Sequence, residues 1–269
     1  VFMMAILQMS YHSEAMQREV TFNALIPMDT MKSPDRPPIG DKPMKSLYLL
    51  HGYSGSFTDW ISYTNIRELC YKYHIAVFMP SGENSFYLDD VDMRALYGEY
   101  IGNELVQYTR DLFPLSNRRE DTFIGGLSMG GYGALRNGLK YADNFGSIIA
   151  LSSALITYKI ENASPDYTDG IGDYKYFTSV FGDLTKISGS DKDPEALLMN
   201  LIENNKSIPR IYMACGTEDF LLDVNQKFRD FVSDLNVIFK YVEAPGDHTW
   251  EFWNEYIDKS LAWLIEGKE

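Results

Sequence analysis

Cysteine and histidine are scarce in this chain, and basic residues are outnumbered. Two cysteines in 269 residues, Cys70 and Cys215, cannot build the disulfide framework of a small secreted domain. Each lies in an apolar segment, so both are expected as buried free thiols. Lys and Arg together number 24 against 38 Asp and Glu, a net charge of -14. That balance argues against nucleic acid and anionic membrane as partners, because both demand clustered positive charge. No stretch approaches the roughly 20 apolar residues needed to cross a bilayer. The opening VFMMAILQMS has no basic residues before its short apolar run and no small-residue cleavage pattern, so it reads as a strand and not as a secretion signal. Val1 and Phe2 read as additions ahead of a natural start at Met3 or Met4, and a cytoplasmic home is expected. Internal repeats and low-complexity segments are also missing. Asp89, Asp90 and Asp92 lack the glycine and glutamate that an EF-hand loop requires, so a solvated loop or a helix start is expected there, with no metal site.

What is present is an ordinary globular composition, 45% hydrophobic and 23% charged, in a chain long enough for one large α/β domain. Strands are expected near 4–10, 17–26, 46–51, 75–80, 121–127, 146–152, 209–215 and 237–243. Helices alternate with most of them, the clearest near 94–112, 130–141, 220–235 and 249–266. Alternation after residue 46 implies right-handed crossovers in a mostly parallel sheet. The first two strands read as an antiparallel edge hairpin, and the Pro-rich MKSPDRPPIGDKP at 31–43 as a loop between strands.

One stretch carries chemistry. In TFIGGLSMGGYGALRNGL, Ser128 stands between Gly126 and Gly130, after an apolar strand and before a helix-like run. That is the layout of a nucleophile elbow, where a sharp turn projects the serine hydroxyl and side chains two residues away would clash. The bare pattern arises by chance in about one chain of this length in ten, so its surroundings carry the inference. The alternative, a glycine-rich turn cradling phosphate, lacks the lysine of a P-loop and leaves the serine without a purpose.

A serine needs a base, and the chain has just four histidines. His12 and His74 read as structural or solvent-facing, and His51 belongs to a strand-end loop. His248 remains, in EAPGDHTWEFW, following the last predicted strand and a Pro-Gly turn. An acidic partner is expected after the penultimate strand, in RIYMACGTEDFLLDV. Asp219 is favoured, with Glu218 as the fallback; Asp223 falls inside the next helix, and Asp247 is a turn residue whose side chain diverges from its neighbour's. The order Ser, Asp, His matches the α/β-hydrolase arrangement and differs from those of chymotrypsin and subtilisin.

The oxyanion of an acyl-transfer intermediate needs preorganised donors. One expected donor is the amide of Met129, next to the nucleophile. The other is the amide of Tyr53, in the loop of KSLYLLHGYSGSFTDW. Between about 155 and 207 the pattern loosens, and this insertion is expected to lie over the site as a small cap. Tyr158, Tyr167, Tyr174, Tyr176 and Phe177 are its candidate pocket aromatics. Tyr87 and Trp250, beside loops already implicated, are the stronger candidates for pocket walls.

Taken together, LYLLHGYSG, FIGGLSMGGYGAL, ACGTEDFL and GDHTWEFW resemble the family of esterase D, S-formylglutathione hydrolases, feruloyl esterases and antigen 85 mycolyltransferases. Bacterial tributyrin esterases are the nearest in pattern. The resemblance runs from about Val20 to Leu264. It implies an α/β-hydrolase fold and a cofactor-free serine carboxylesterase for short acyl chains, with Ser128, Asp219 and His248 as triad and the Tyr53 and Met129 amides as oxyanion donors. Self-association is also suggested. The loop Tyr53, Ser54, Gly55, Ser56 has no cysteine where S-formylglutathione hydrolases carry one, which weighs against a glutathione thioester. Within enzymes the alternatives are a feruloyl or acetylxylan esterase, an acyltransferase or a thioesterase. Outside them stands a binding protein on the same fold, which would usually have lost a triad member.

Overall fold

The computed structural model describes residues 5–27 and 43–267. The expectations for residues 1–4 lie outside these, as does nearly all of the Pro-rich loop at 31–43.

Eight strands form one sheet. They are β1 Ala5–Ser13, β2 Arg18–Ile26, β3 Lys45–Leu50, β4 Ile75–Pro80, β5 Thr122–Leu127, β6 Ser147–Leu151, β7 Arg210–Gly216 and β8 Phe239–Ala244. Their spatial order is β1-β2-β4-β3-β5-β6-β7-β8. β1 and β2 form the expected antiparallel edge hairpin, and β2 pairs antiparallel with β4. From β4 to β8 every pairing is parallel. Each predicted strand is present, with ends shifted by up to three residues.

The central strands are apolar on both faces, as a sheet covered on both sides requires. Side-chain alternation divides them: Tyr48, Phe78, Ile124 and Ile148 point into one core, Leu47, Val77, Phe123 and Ile149 into the other. Helices α1 (Ile66–Tyr73) and α7 (Trp250–Leu261) cover the second face. On α7, Phe252, Trp253, Tyr256, Ile257 and Leu261 recur at helical spacing and all are buried. The first face is covered by α2 (Leu105–Leu112), α3 (Met129–Lys140), α4 (Tyr174–Phe181), α5 (Pro194–Glu203) and α6 (Leu222–Ser233).

The helix expected at 94–112 starts later. Ala95–Leu96 pairs with Asp89–Asp90 in a small hairpin, and helical structure begins at Tyr97 and passes through a π-turn, Tyr100–Glu104, into α2. Asp89 does mark a helix start, since its Oδ1 accepts from the Glu99 N–H at 3.0 Å. It is far from a solvated loop residue, however: its Oδ2 lies 3.2 Å from Lys140 Nζ and 3.5 Å from the buried Arg136 guanidinium.

The segment between β6 and β7 is more regular than its composition suggested. Besides a turn of helix at Thr157–Ile160, it holds α4 and α5, each capped by an aspartate. Asp173 accepts from the Tyr176 N–H at 2.8 Å, and Asp193 from the Glu195 N–H at 3.0 Å. It is fastened to α3 by Arg136, whose guanidinium reaches the side chain and carbonyl of Asp191, and by the Tyr132 hydroxyl, which donates to the Lys192 carbonyl at 2.7 Å.

Candidate active site

β5 ends at Leu127 and α3 begins at Met129, so Ser128 makes the whole turn. It does so at φ +53°, ψ -119°, a conformation costly for any residue with a Cβ. Backbone bonds hold it there: its N–H donates to the Leu151 carbonyl at 2.9 Å, and its own carbonyl accepts from Ala154 and Tyr132. The flanking glycines are explained by contact. A Cβ on Gly126 would lie 2.3 Å from the Gly130 carbonyl oxygen, and one on Gly130 would lie 2.5 Å from that of Leu50.

Around the serine the structure assembles the other two predicted side chains. His248, in the loop between β8 and α7, places Nε2 3.0 Å from Ser128 Oγ. Its Nδ1 faces both carboxylate oxygens of Asp219, at 2.9 and 3.1 Å. The Asp219 side chain is fully buried. Burial alone would raise its pKa, but the hydrogen bond and charge of His248, the Leu221 N–H at 2.9 Å and the Ser152 hydroxyl together hold it below the ordinary carboxylate value. With the carboxylate ionised, the imidazole proton is fixed on Nδ1 and a lone pair on Nε2 faces the serine. The ring is also gripped by aromatics, Phe220 at 4.7 Å and Trp253 at 4.8 Å between centroids.

The competing acidic residues fall elsewhere. Glu218 Oε2 accepts from the Gly246 N–H, closing one loop on the other. Asp247 accepts from the amide of His248, and Asp223 sits on α6 against Lys159.

The amides of Tyr53 and Met129 have no intramolecular acceptor among the described residues. Met129 opens the twelve-residue α3, so its N–H belongs to the unsatisfied, partially positive end of a helix. The loop bearing Tyr53 is built from beneath. Buried His51 has Nδ1 2.7 Å from the Gly52 carbonyl, while its Nε2 accepts from the Gly82 N–H at 2.8 Å. Donation by Nδ1 and acceptance by Nε2 fit a neutral ring, and burial lowers its pKa accordingly.

A hollow of about 420 Å³ opens over Ser128, with Tyr53, Met129, Asp59, Phe86, Phe220 and Trp250 among its walls. Trp250, one of the two candidate wall residues, is in the wall of this hollow. Tyr87 is not. Positive φ at Phe86 (+51°) and Tyr87 (+56°) turns the tyrosine inward, where it is fully buried and donates its hydroxyl to the His51 carbonyl at 2.9 Å. Its neighbour Phe86 faces the hollow instead. The inserted segment contributes Gly170 and Ile171, none of its five candidate aromatics. Phe177 is core, Tyr158 bonds Glu195, Tyr167 lines a neighbouring hollow of about 370 Å³, Tyr176 packs on Tyr53, and Tyr174 packs against the core.

Several residues at the site escaped sequence reasoning. Ser152, at φ +45°, accepts from Trp253 Nε1 at 3.0 Å and so ties the aspartate's surroundings to α7. Asp59 brings a carboxylate to the hollow, its Oδ1 accepting from Ser56 at 3.2 Å. A serine following β6 and an aspartate preceding a tryptophan are too common to stand out without the fold. Among the described residues no group of His, Cys, Asp and Glu could hold a metal ion, and no helix is long and apolar enough to cross a membrane. Both cysteines are buried and free.

Comparison with known proteins agrees with this architecture. The acetyl esterase of Caldicellulosiruptor saccharolyticus is 48% identical over 97% of this chain and 98% of its own. Fluorophosphonate-binding serine hydrolase F (FphF) of Staphylococcus aureus superposes with a TM-score of 0.84 at 30% identity, covering 97% of this chain and 98% of its own. The S-formylglutathione hydrolase FrmB of the same organism gives 0.82 at 30% identity, over 98% and 100%. The Esterase family model ("Putative esterase") matches residues 13–264. An α/β-hydrolase scaffold, a strained serine at its elbow and a family match over nearly the whole length converge: this chain belongs to the esterase family and is a carboxylic ester hydrolase.

Proposed function

We propose that Ser128, His248 and Asp219 are the nucleophile, general base and orienting carboxylate of a serine esterase for short acyl esters. The observation that carries this reading is the unbroken relay from Asp219 through His248 to Ser128 Oγ. In the first half-reaction Ser128 Oγ attacks the ester carbonyl while His248 Nε2 takes its proton. The negative charge on the carbonyl oxygen is met by the Tyr53 and Met129 amides. Collapse of the intermediate expels the alcohol, which receives the proton from His248, and leaves an acyl-enzyme. Water, deprotonated by the same imidazole, then releases the acid and restores the serine. Asp219 stays ionised throughout and stabilises the imidazolium.

Short acyl groups are favoured by the relative named acetyl esterase and by the modest hollow, which acyl and alcohol parts must share. Asp59 in its wall disfavours anionic acyl groups. The segment 155–207 serves as a cap on a single catalytic domain, supplying Gly170 and Ile171 to the site. A thioesterase activity is the second reading, supported by the likeness to FrmB. Cytoplasmic residence belongs to the same proposal, supported by two thiols left free and buried.

Ser128→Ala is expected to abolish hydrolysis of p-nitrophenyl acetate while leaving the thermal midpoint near that of the parent. An organophosphate should add its mass to the peptide containing Ser128, and labelling at any other residue would defeat the assignment. A panel of esters from acetyl to octanoyl, with methyl ferulate and an S-acyl thioester, should show acetyl fastest.

A further inference from the structure

The loop Ser81–Tyr87 has no place in the chemistry, yet it is bonded to the loop carrying Tyr53 at four points. The Gly82 N–H donates to His51 Nε2 at 2.8 Å, and the Tyr87 hydroxyl to the His51 carbonyl at 2.9 Å. The Ser81 hydroxyl accepts from the Phe57 N–H at 3.3 Å, and Asn84 Oδ1 accepts from the Ser54 N–H at 2.7 Å. The last bond bears most directly on Tyr53. Ser54 follows it in the chain and is held at φ +59°, a left-handed conformation that a serine does not choose unaided. The peptide plane after Tyr53 is therefore pinned by Asn84.

Asn84 is in turn held by the inserted segment. The Tyr176 hydroxyl, from the first turns of α4, donates to the Asn84 carbonyl at 2.7 Å, and the Tyr176 ring meets the Tyr53 ring edge to face at 5.8 Å. Burial, and then the neighbouring Tyr53 hydroxyl, raise the Tyr176 pKa, so the phenol remains a donor at working pH. The chain of contacts runs Tyr176, Asn84, Ser54, Tyr53, linking an element 48 residues after Ser128 to the loop on the far side of the hollow.

From this geometry we propose that Tyr176 is a positioning residue for the oxyanion loop, acting through Asn84 to fix the Tyr53–Ser54 peptide and, through the Tyr53 Cα the two share, the adjoining Gly52–Tyr53 peptide that carries the Tyr53 N–H. The proposal rests on the esterase reading given above. Its chemical content is that the insertion sets the aim of an oxyanion donor as well as roofing the substrate. Removing a donor outright costs about 10² to 10³ in kcat, so loosening its support should cost less, about 3- to 10-fold.

The test compares Tyr176→Phe, Asn84→Ala and the double variant with the parent and Ser128→Ala, on p-nitrophenyl acetate and an organophosphate. Tyr176→Phe keeps the ring against Tyr53 and removes only the hydroxyl, with its bond to the Asn84 carbonyl and its contact with the Tyr53 hydroxyl; an unchanged thermal midpoint shows that folding is intact. The expected result is a 3- to 10-fold fall in kcat for each single variant, KM within about twofold, and an organophosphate inactivation rate reduced by the same factor, because its phosphoryl oxygen seeks the same amides. The double variant should be no slower than Asn84→Ala alone, as two links of one chain require. Unchanged kcat in Tyr176→Phe, a change in KM only, or effects that multiply would each overturn the proposal. Full activity in Ser128→Ala would instead remove the esterase assignment, and the proposal with it.

Discussion

Asp219 illustrates how much one carboxylate is asked to do. Buried without partners it would be neutral, and His248 would have nothing to settle its tautomer. Its lowered pKa records a local network strong enough to offset desolvation. Asp219→Asn keeps the shape but lets the amide impose the wrong tautomer on the imidazole. We expect kcat for p-nitrophenyl acetate to fall about 10³- to 10⁴-fold, in line with the same exchange in other Ser-His-Asp triads, with little change in thermal midpoint. A loss below tenfold would move the orienting role to another residue. The meeting of Ser128, Asp219 and His248 was legible in the sequence because strand, turn and chain order each restrict the choice independently. Tyr87 was misread for a reason equally physical. Two consecutive residues at positive φ rotate the side chains, so the wall position passes to Phe86. Hydrophobic pattern alone does not reveal such a turn.

At the scale of elements, the strands were read well, since runs such as LYLLHG and TFIGGL have no other use than a sheet covered on both faces. Helix starts were read less well where tertiary pairing overrode periodicity, as at Ala95–Leu96. The insertion was the least legible region. Its helices are short, and their stability comes from caps and from docking onto α3 more than from an amphipathic pattern. One signal was nevertheless present, an aspartate followed by proline at Asp193-Pro194, which is a helix start with proline in its first turn. Asp193 Oδ1 caps the Glu195 N–H, and its Oδ2 accepts from Gly189 at 3.0 Å. Asp193→Ala should therefore lower stability by about 1 kcal/mol, read as a reduced urea midpoint with unchanged slope. A change within error would mean that docking alone holds α5.

The whole molecule carries a large negative charge and two buried groups with depressed pKa values at its working end. Both make acid unfavourable, by the same sign and in different windows. His51 is kept neutral by burial, so its folded pKa lies below the unfolded value of about 6.5. As the pH falls below that value the unfolded chain takes up the proton first, and stability declines until the folded pKa is reached. Asp219 contributes fully above the unfolded carboxylate value of about 3.9, and its contribution is lost as the pH falls through its lower folded pKa. Thermal midpoints measured from pH 8 to pH 5 should therefore fall most steeply below about 6.5, and His51→Gln should flatten that slope. Parallel slopes would exclude His51 as the source. Sedimentation on the same samples reports self-association, since a dimer would make the midpoint depend on concentration.

Three of the four tryptophans, Trp60, Trp250 and Trp253, form a cluster with centroid spacings of 5.2 to 5.5 Å between neighbours. Trp250 and Trp253 line the hollow, and Trp253 touches the His248 imidazole. Two of the four indoles thus stand in the wall of the hollow over Ser128, so filling that hollow is expected to change the protein's tryptophan emission, which a titration with an organophosphate would read.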